Sequence, residues 1–224
     1  MNKKSCFSLL VSGILWFMMF AGAAPLSAQA EHNNKPIVTS HIYQNVQKLK
    51  YPQVKNIGNK SLQTKINQDF NNYIERSYQD YLKNKQDGEK HGYKTDYQTS
   101  FHVKYATGQR LSILTENYVF SGGAHGLTAI RSFNYDLELQ KRIYLTDVLN
   151  TASKVEKTKD YIFNYIQKHH EIFFPDVKKK DIVLNKETAF YYTKTGIAIV
   201  FQQYDVAPYA VGNPVVHVPK SVYR

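Results

Sequence analysis

The 224-residue sequence predicts an α+β fold: antiparallel sheets with two amphipathic helices packed on them, in a helix-then-sheet order that occurs twice. Three observations carry this reading. Apolar residues recur every four positions from Leu62 to Leu82, which is helical spacing. Alternating runs flank the turn sequence Ala106-Thr107-Gly108-Gln109, which is hairpin spacing. The same succession returns more loosely after Val155. Hydrophobic residues at 42% and charged residues at 21% suit a packed core rather than a disordered or fibrous chain.

In chain order, the first segment reads as an address. Lys3 and Lys4 precede a nearly continuous apolar run from Phe7 to Ala24, Pro25 ends it, and Ala28-Gln29-Ala30 supplies the small residues of a cleavage site. Residues 1–30 are therefore expected to be a secretory signal peptide cut after Ala30. The secreted protein should then begin at Glu31 by mass spectrometry, whereas retention of Trp16 would point to an uncleaved anchor, for which Ser5 to Ala24 is about long enough. Cys6, Trp16 and all three Met lie inside this segment, so the mature chain would have no disulfide, thiol nucleophile or cysteine-ligated metal. The formal charge of +11 includes Lys3 and Lys4, which leaves +9 beyond Ala30.

Ile37 to Val54 is rich in Val, Ile and Tyr and predicts one or two strands, closed by the turn cluster Asn56-Ile57-Gly58-Asn59. Leu62, Ile66, Phe70, Ile74, Tyr78 and Leu82 then form the apolar stripe of a helix, with Asn84 to Gly92 expected to end it in a loop. Phe101, Val103 and Tyr105 alternate on one strand. Leu111 and Ile113, then Tyr118 and Phe120, continue on the next with a parity change that predicts a bulge. Ile130, Phe133, Tyr135 and Leu137 mark a third strand of a meander. Val155, Ile162, Tyr165, Ile166 and Phe173 predict a second helix ending at Pro175. Phe190 to Thr193 and Ile197 to Gln202 form a hairpin around Lys194-Thr195-Gly196, and Val215 to Val218 is a last strand. The expected organisation is a lobe over residues 31–138 and another over 139–224, packed as one unit.

Familiar catalytic signatures are absent. There is no phosphate-binding loop, dinucleotide fingerprint or Gly-x-Ser-x-Gly elbow. His169 and His170 are adjacent, so on a helix they would point about 100° apart and could not share a metal ion. No catalytic residue, metal or cofactor is expected. The Lys178-Lys179-Lys180 run reads as a solvated loop.

Two segments stand out as a candidate binding site. The first runs from Tyr118 through Phe120, Gly122, Gly123 and His125, where glycines let the backbone bend around a histidine that can orient a ligand or serve as a base. The second runs from Tyr204 through Asp205 to Tyr209, where aromatic faces with polar tips suit sugar stacking in a partly wet site. Alternatively, His125 is tied to backbone carbonyls and the second segment is a plain connection between strands.

These segments also carry a resemblance. Gly122-Gly123-Ala124-His125, followed by Tyr204-Asp205-Val206-Ala207-Pro208-Tyr209-Ala210-Val211-Gly212, resembles an extracytoplasmic domain family shared by the lysozyme-sensing anti-sigma-V factor RsiV and the N-terminal module of the peptidoglycan deacetylase PdaC. Tyr51-Pro52, Ile66-Asn67 and the Phe190 to Gln202 hairpin fit it too, over residues 37 to 220. Only four residues precede the apolar stretch and no metal-binding catalytic domain follows, so the expectation is the shared module on its own.

The function expected from these readings is a secreted, non-catalytic cell-envelope binding module, extracellular or retained at the wall. Its expected partner is wall glycan or an anionic wall polymer, because +9 attracts polyanions. Lysozyme, suggested by the resemblance, is typically cationic and would be repelled at long range. Nucleic acid is not expected for a secreted chain, and membrane contact is expected only through the signal peptide before cleavage. The alternative is a cell-wall hydrolase with His125 in its site, which would need a carboxylate or hydroxyl within hydrogen-bond reach of that ring.

Overall fold

Two consecutive residues with left-handed backbone, Gln44 (φ 48) and Asn45 (φ 58), turn the first extended segment back on itself, so Ile37 to Val54 is two strands and not one. The computed structural model describes residues 35–224; the expected signal peptide and its cut after Ala30 lie outside the described residues. Strands β1 (Ile37–Tyr43) and β2 (Val46–Lys55) pair antiparallel. Helix α1 (Lys60–His91) follows, its first turn capped by Asn59, whose side-chain oxygen accepts from the Leu62 amide at 2.9 Å. Strands β3 (Asp96–Ala106), β4 (Arg110–Phe120), β5 (Leu127–Asp136) and β6 (Lys141–Ile143) complete a six-stranded sheet in the order β1-β2-β3-β4-β5-β6. Helices α2 (Leu145–Val148) and α3 (Ala152–Gln167) lead to a three-stranded antiparallel sheet of β7 (Ala189–Tyr192), β8 (Gly196–Val200) and β9 (Val215–Pro219). The fold is α+β. Among the described residues no helix is long and apolar enough to cross a membrane.

One pairing departs from the all-antiparallel expectation. β2 and β3 are parallel, with Leu49 opposite Thr99. The helix between them is a crossover that carries the chain back to the same end, so α1 is inserted into the sheet's connectivity rather than preceding it.

The layers follow from alternation along the strands. Leu111 and Ile113 of β4 and Phe133 and Tyr135 of β5 point to one face and meet Ile66, Phe70 and Ile74 of α1 in one buried cluster. Leu114 and Ile130 point to the other face and pack on Ala189, Tyr191, Ala198 and Val200 of the small sheet. Helix α3 buries Ile162 and Ile166 with Ile197, Ile199, Val216 and Val218 of β8 and β9. The free edge of β7 meets the large sheet's face, and polar side chains complete its ladder. Ser132 Oγ accepts from the Phe190 amide (3.2 Å), Ser112 Oγ accepts from the Tyr192 amide (3.1 Å), and Asn134 donates to the Phe190 carbonyl (2.9 Å).

Several expectations are corrected. The bulge lies on β3, where the register shifts between Val103 and Tyr105; β4 pairs with β5 without a break. The parity change along β4 arises because that strand is covered on both faces. Helix α1 continues past Asn84 to His91 and stops at Gly92 in the left-handed region (φ 71). Asn84 is buried and donates to the carbonyls of Asp96 and Phe120, both at 3.1 Å. Gly88 lies so close to Thr95 and the Tyr93 carbonyl that a Cβ there would overlap them, so this glycine serves close packing and not chain reversal. Leu82, assigned to the buried stripe, is 40% exposed. The second helix ends at Gln167, well before Pro175. His169 and His170 therefore lie beyond the helix, and Phe173 reaches the core from the turn that follows, its amide donating to the His169 carbonyl.

Candidate functional site

The loop after β4 and the connection between β8 and β9 are almost eighty residues apart in sequence and meet in space. His125 stacks on Tyr209, with ring centroids 3.9 Å apart and planes inclined by 24°. Tyr204 closes the group, 6.1 Å from Tyr209 and also stacked. Its hydroxyl lies 3.3 Å from His125 Nε2, and His125 Nδ1 lies 3.2 Å from the Gly126 carbonyl. Because a carbonyl only accepts, Nδ1 carries the proton in this arrangement and Nε2 accepts from the Tyr204 hydroxyl. Gly126 is buried against the Tyr118 phenol, which would overlap any Cβ at that position. Tyr118 thus supports the base of the histidine loop from the strand below.

The backbone presents these rings to solvent. Tyr204 sits in the left-handed region (φ 68), an uncommon conformation for a bulky residue, and is 48% exposed. The two residues before it hold the connection in place. Gln202 forms a paired amide contact with Ile130 of β5, accepting from its amide at 2.9 Å and donating to its carbonyl at 2.8 Å. Gln203 accepts from the Thr128 amide next to it. These two glutamines finish the open edge of β5 as a neighbouring strand would, and so tie Tyr204 to the strand that follows the His125 loop. They were not singled out from sequence; two consecutive glutamines directly after a buried strand were the available signal.

The remaining candidate residues lie elsewhere. Phe120 contributes its carbonyl to Asn84 and has no ring contact with the His125 group among the described residues. Gly122 (φ 76) packs its α-carbon against the Tyr93 ring, and Gly123 (φ 120) is at the open tip of the loop. Asp205 closes its own turn by accepting from the Gln202 amide at 2.9 Å. The group is therefore His125, Tyr204 and Tyr209, supported by Tyr118, Gly126, Gln202 and Gln203. Among the described residues no three His, Cys, Asp or Glu side chains converge to hold a metal ion. What the group offers chemically is an exposed aromatic shelf with one imidazole and two phenolic hydroxyls, able to stack on a flat apolar face and exchange hydrogen bonds at its rim. The Lys178-Lys179-Lys180 run is not uniformly free: Lys179 bridges Asp160 and Glu156 of α3, at 2.5 and 3.0 Å.

Residues 39–128 match the family model described as deacetylase PdaC, and residues 145–221 match one described as a protein of unknown function, DUF3298. The histidine loop falls in the first match and the tyrosine connection in the second. The chain is 41% identical over 61 residues to the uncharacterized protein YxiT of Bacillus subtilis, an alignment that covers 27% of this chain and 75% of YxiT. It is 23% identical over 135 residues to the peptidoglycan-N-acetylmuramic acid deacetylase PdaC of the same organism, covering 58% of this chain and 29% of PdaC. Two crystal structures of DUF3298 proteins share the fold. One, from Bacteroides fragilis, has a TM-score of 0.57 at 18% identity and covers 84% of this chain and 92% of its own. The other, from Pseudomonas aeruginosa, has a TM-score of 0.51 at 14% identity and covers 84% of this chain and 90% of its own.

Proposed function

We propose, from the premise that this chain belongs to the PdaC N-terminal/DUF3298 domain family, that it is a secreted cell-wall-associated module that binds wall glycan without cleaving it. The observation that carries this reading is the stacked His125–Tyr209–Tyr204 shelf, exposed on a scaffold whose glutamines and glycines hold it open. PdaC is by its name a peptidoglycan deacetylase, and this chain spans 29% of its length, so the link to the wall is taken from the shared module and the chemistry is not. Sugar rings have apolar faces edged by hydroxyls, which is what an aromatic shelf with polar rims accepts. The charge of +9 adds a long-range attraction to anionic wall material.

Binding to purified glycan stripped of anionic polymer is the test. Each stacked ring contributes about 0.5–1.5 kcal/mol, so Tyr209→Ala should weaken binding roughly two- to tenfold, and Tyr204→Ala with Tyr209→Ala more. Salt should weaken binding to unstripped walls more than to stripped glycan, because it screens charge within a Debye length of ~8 Å and leaves stacking largely intact. Unchanged affinity in the double variant would remove the shelf from the binding account. One observation favours a second reading: the Tyr204 hydroxyl lies within hydrogen-bond reach of His125 Nε2 at the surface. If His125→Ala keeps its melting temperature and abolishes a turnover of wall fragments shown by the wild type, the hydrolase reading replaces the binding one.

A further inference from the structure

At the outer edge of β5, where β6 pairing stops, a pocket of about 190 Å³ is lined by four cations, Arg76 of α1, Arg131 of β5, Arg142 of β6 and Lys186, and by one carboxylate, Glu187. A water molecule occupies about 30 Å³ of liquid, so the space suits a group several waters in size. Among the described residues Arg76, Arg131 and Lys186 have no carboxylate within ion-pair distance. Asp69 is the one acid beside Arg142, at 3.7 Å, and it also accepts from the Tyr135 hydroxyl at 2.8 Å. The pocket therefore keeps a positive excess after its own acids are counted.

Arg142 is fixed in place. Its guanidinium lies over the Phe133 ring at 4.3 Å and over the Tyr144 ring at 5.3 Å, and it donates to the Ser132 carbonyl at 3.2 Å. Its Nε is buried with no hydrogen-bond partner, a costly arrangement for a charged donor. Lys186 Nζ lies over the same Tyr144 ring at 4.6 Å. Planar guanidinium groups converging from three elements match the oxygens of a phosphate better than those of any neutral ligand. Arg131 also lines an adjoining groove of about 340 Å³, whose walls include Asp80, Lys83 and Asp87. The carboxylates accept from hydroxyls and the ammonium donates to them, so the groove suits the hydroxyls attached to the phosphate.

We infer that the Arg76–Arg131–Arg142–Lys186 pocket binds a phosphate ester, with the polyol or sugar part of the same ligand lying in the adjoining groove. The site is separate from the His125 shelf and does not depend on it. Calorimetric titration at constant ionic strength with inorganic phosphate and with a short synthetic poly(glycerol phosphate) tests it. The polymer is expected to bind, and per phosphate group more tightly than inorganic phosphate. Arg76→Gln with Arg131→Gln, both exposed and so compatible with folding, should weaken the polymer about tenfold or more. Lys50→Gln with Lys55→Gln on β2 removes the same charge and should leave affinity within about twofold. Equal loss in the two double variants would show diffuse attraction and overturn the site. Equal affinity for the two probes would assign the pocket to free phosphate and overturn the ester. Binding of neither probe would overturn both.

Discussion

Phe70→Ala is expected to destabilise the protein by ~3–5 kcal/mol, a large part of the roughly 5–15 kcal/mol that holds a domain of this kind together. Phe70 is fully buried, as are Ile66 and Ile74 on either side of it along α1. Its ring meets Phe133 at 4.8 Å and Tyr135 edge-on at 6.5 Å, so truncation removes contacts to two strands at once. The surrounding rings are themselves fixed: Arg142 lies over Phe133, and the Tyr135 hydroxyl donates to Asp69. The site therefore collapses poorly, which places the cost at the upper end of the range. Leu82→Ala is the matched comparison. The sequence period assigns both residues to one stripe, but Leu82 is 40% exposed and its truncation should change stability by no more than about 0.5 kcal/mol. Urea unfolding of the two variants checks both statements; equal costs would show that α1 is rotated from the placement described.

The same pair shows what the sequence carried and where it stopped. An exact four-residue repeat advances about 40° beyond a full turn at each step, because a helix turns about 100° per residue. From Leu62 to Leu82 the drift carries the repeat round to the far side of the helix. The face that is buried in α1 instead interrupts steps of four with a step of three: Leu62, Ile66, Phe70, Tyr73, Ser77. Tyr73 and Ser77 belong to it because the Tyr73 hydroxyl donates to Asn117, which in turn donates to Ser77 at 2.8 Å and to Tyr97 at 2.7 Å. A polar network of this kind is invisible to hydrophobic periodicity. The strands were legible as apolar runs between turn signals, but their faces were not. Val103 of β3 is exposed beside a register shift, Ile130 of β5 faces away from Phe133 and Tyr135, and β4, β7 and β8 are covered on both faces and so have no single parity. β6 and α2 are too short to register as periods at all. For the candidate site, the glycines, histidine and tyrosines could be picked out singly by residue type. Their meeting could not, because it is made by the Gln202 and Gln203 side chains completing the edge of β5, a tertiary contact with no local signature.

Raising the pH above about 10 is expected to unfold the protein cooperatively. Burial pushes the Tyr192 phenol up to about 12, raises Tyr73 further still, and holds Tyr135 well above the 10.0 of the open chain. The buried phenol resists losing its proton because the phenolate would have to be stripped of water. Between about 10 and about 12 the unfolded chain therefore releases protons that the folded one keeps. The unfolded state then binds fewer protons than the folded state, and stability falls as pH rises; below about 10 the two states bind equally at these groups and the contribution is fully present. Each pH unit across which one such phenol stays protonated only when folded removes about 1.4 kcal/mol, and three groups act together over the same window. The phenolate absorbance of Tyr73, Tyr135 and Tyr192 should accordingly be delayed until the fold opens. The buried tyrosines should ionise in a single step that coincides with loss of circular dichroism. Tyr192→Phe should shift that step to higher pH, since its ring lies beneath the Arg110 guanidinium at 4.5 Å and keeps this packing without an ionisable oxygen. A single-stage titration of all 18 tyrosines with the circular dichroism unchanged would mean that these phenols are open to solvent and that the interior described for α1 and the two sheets is wrong.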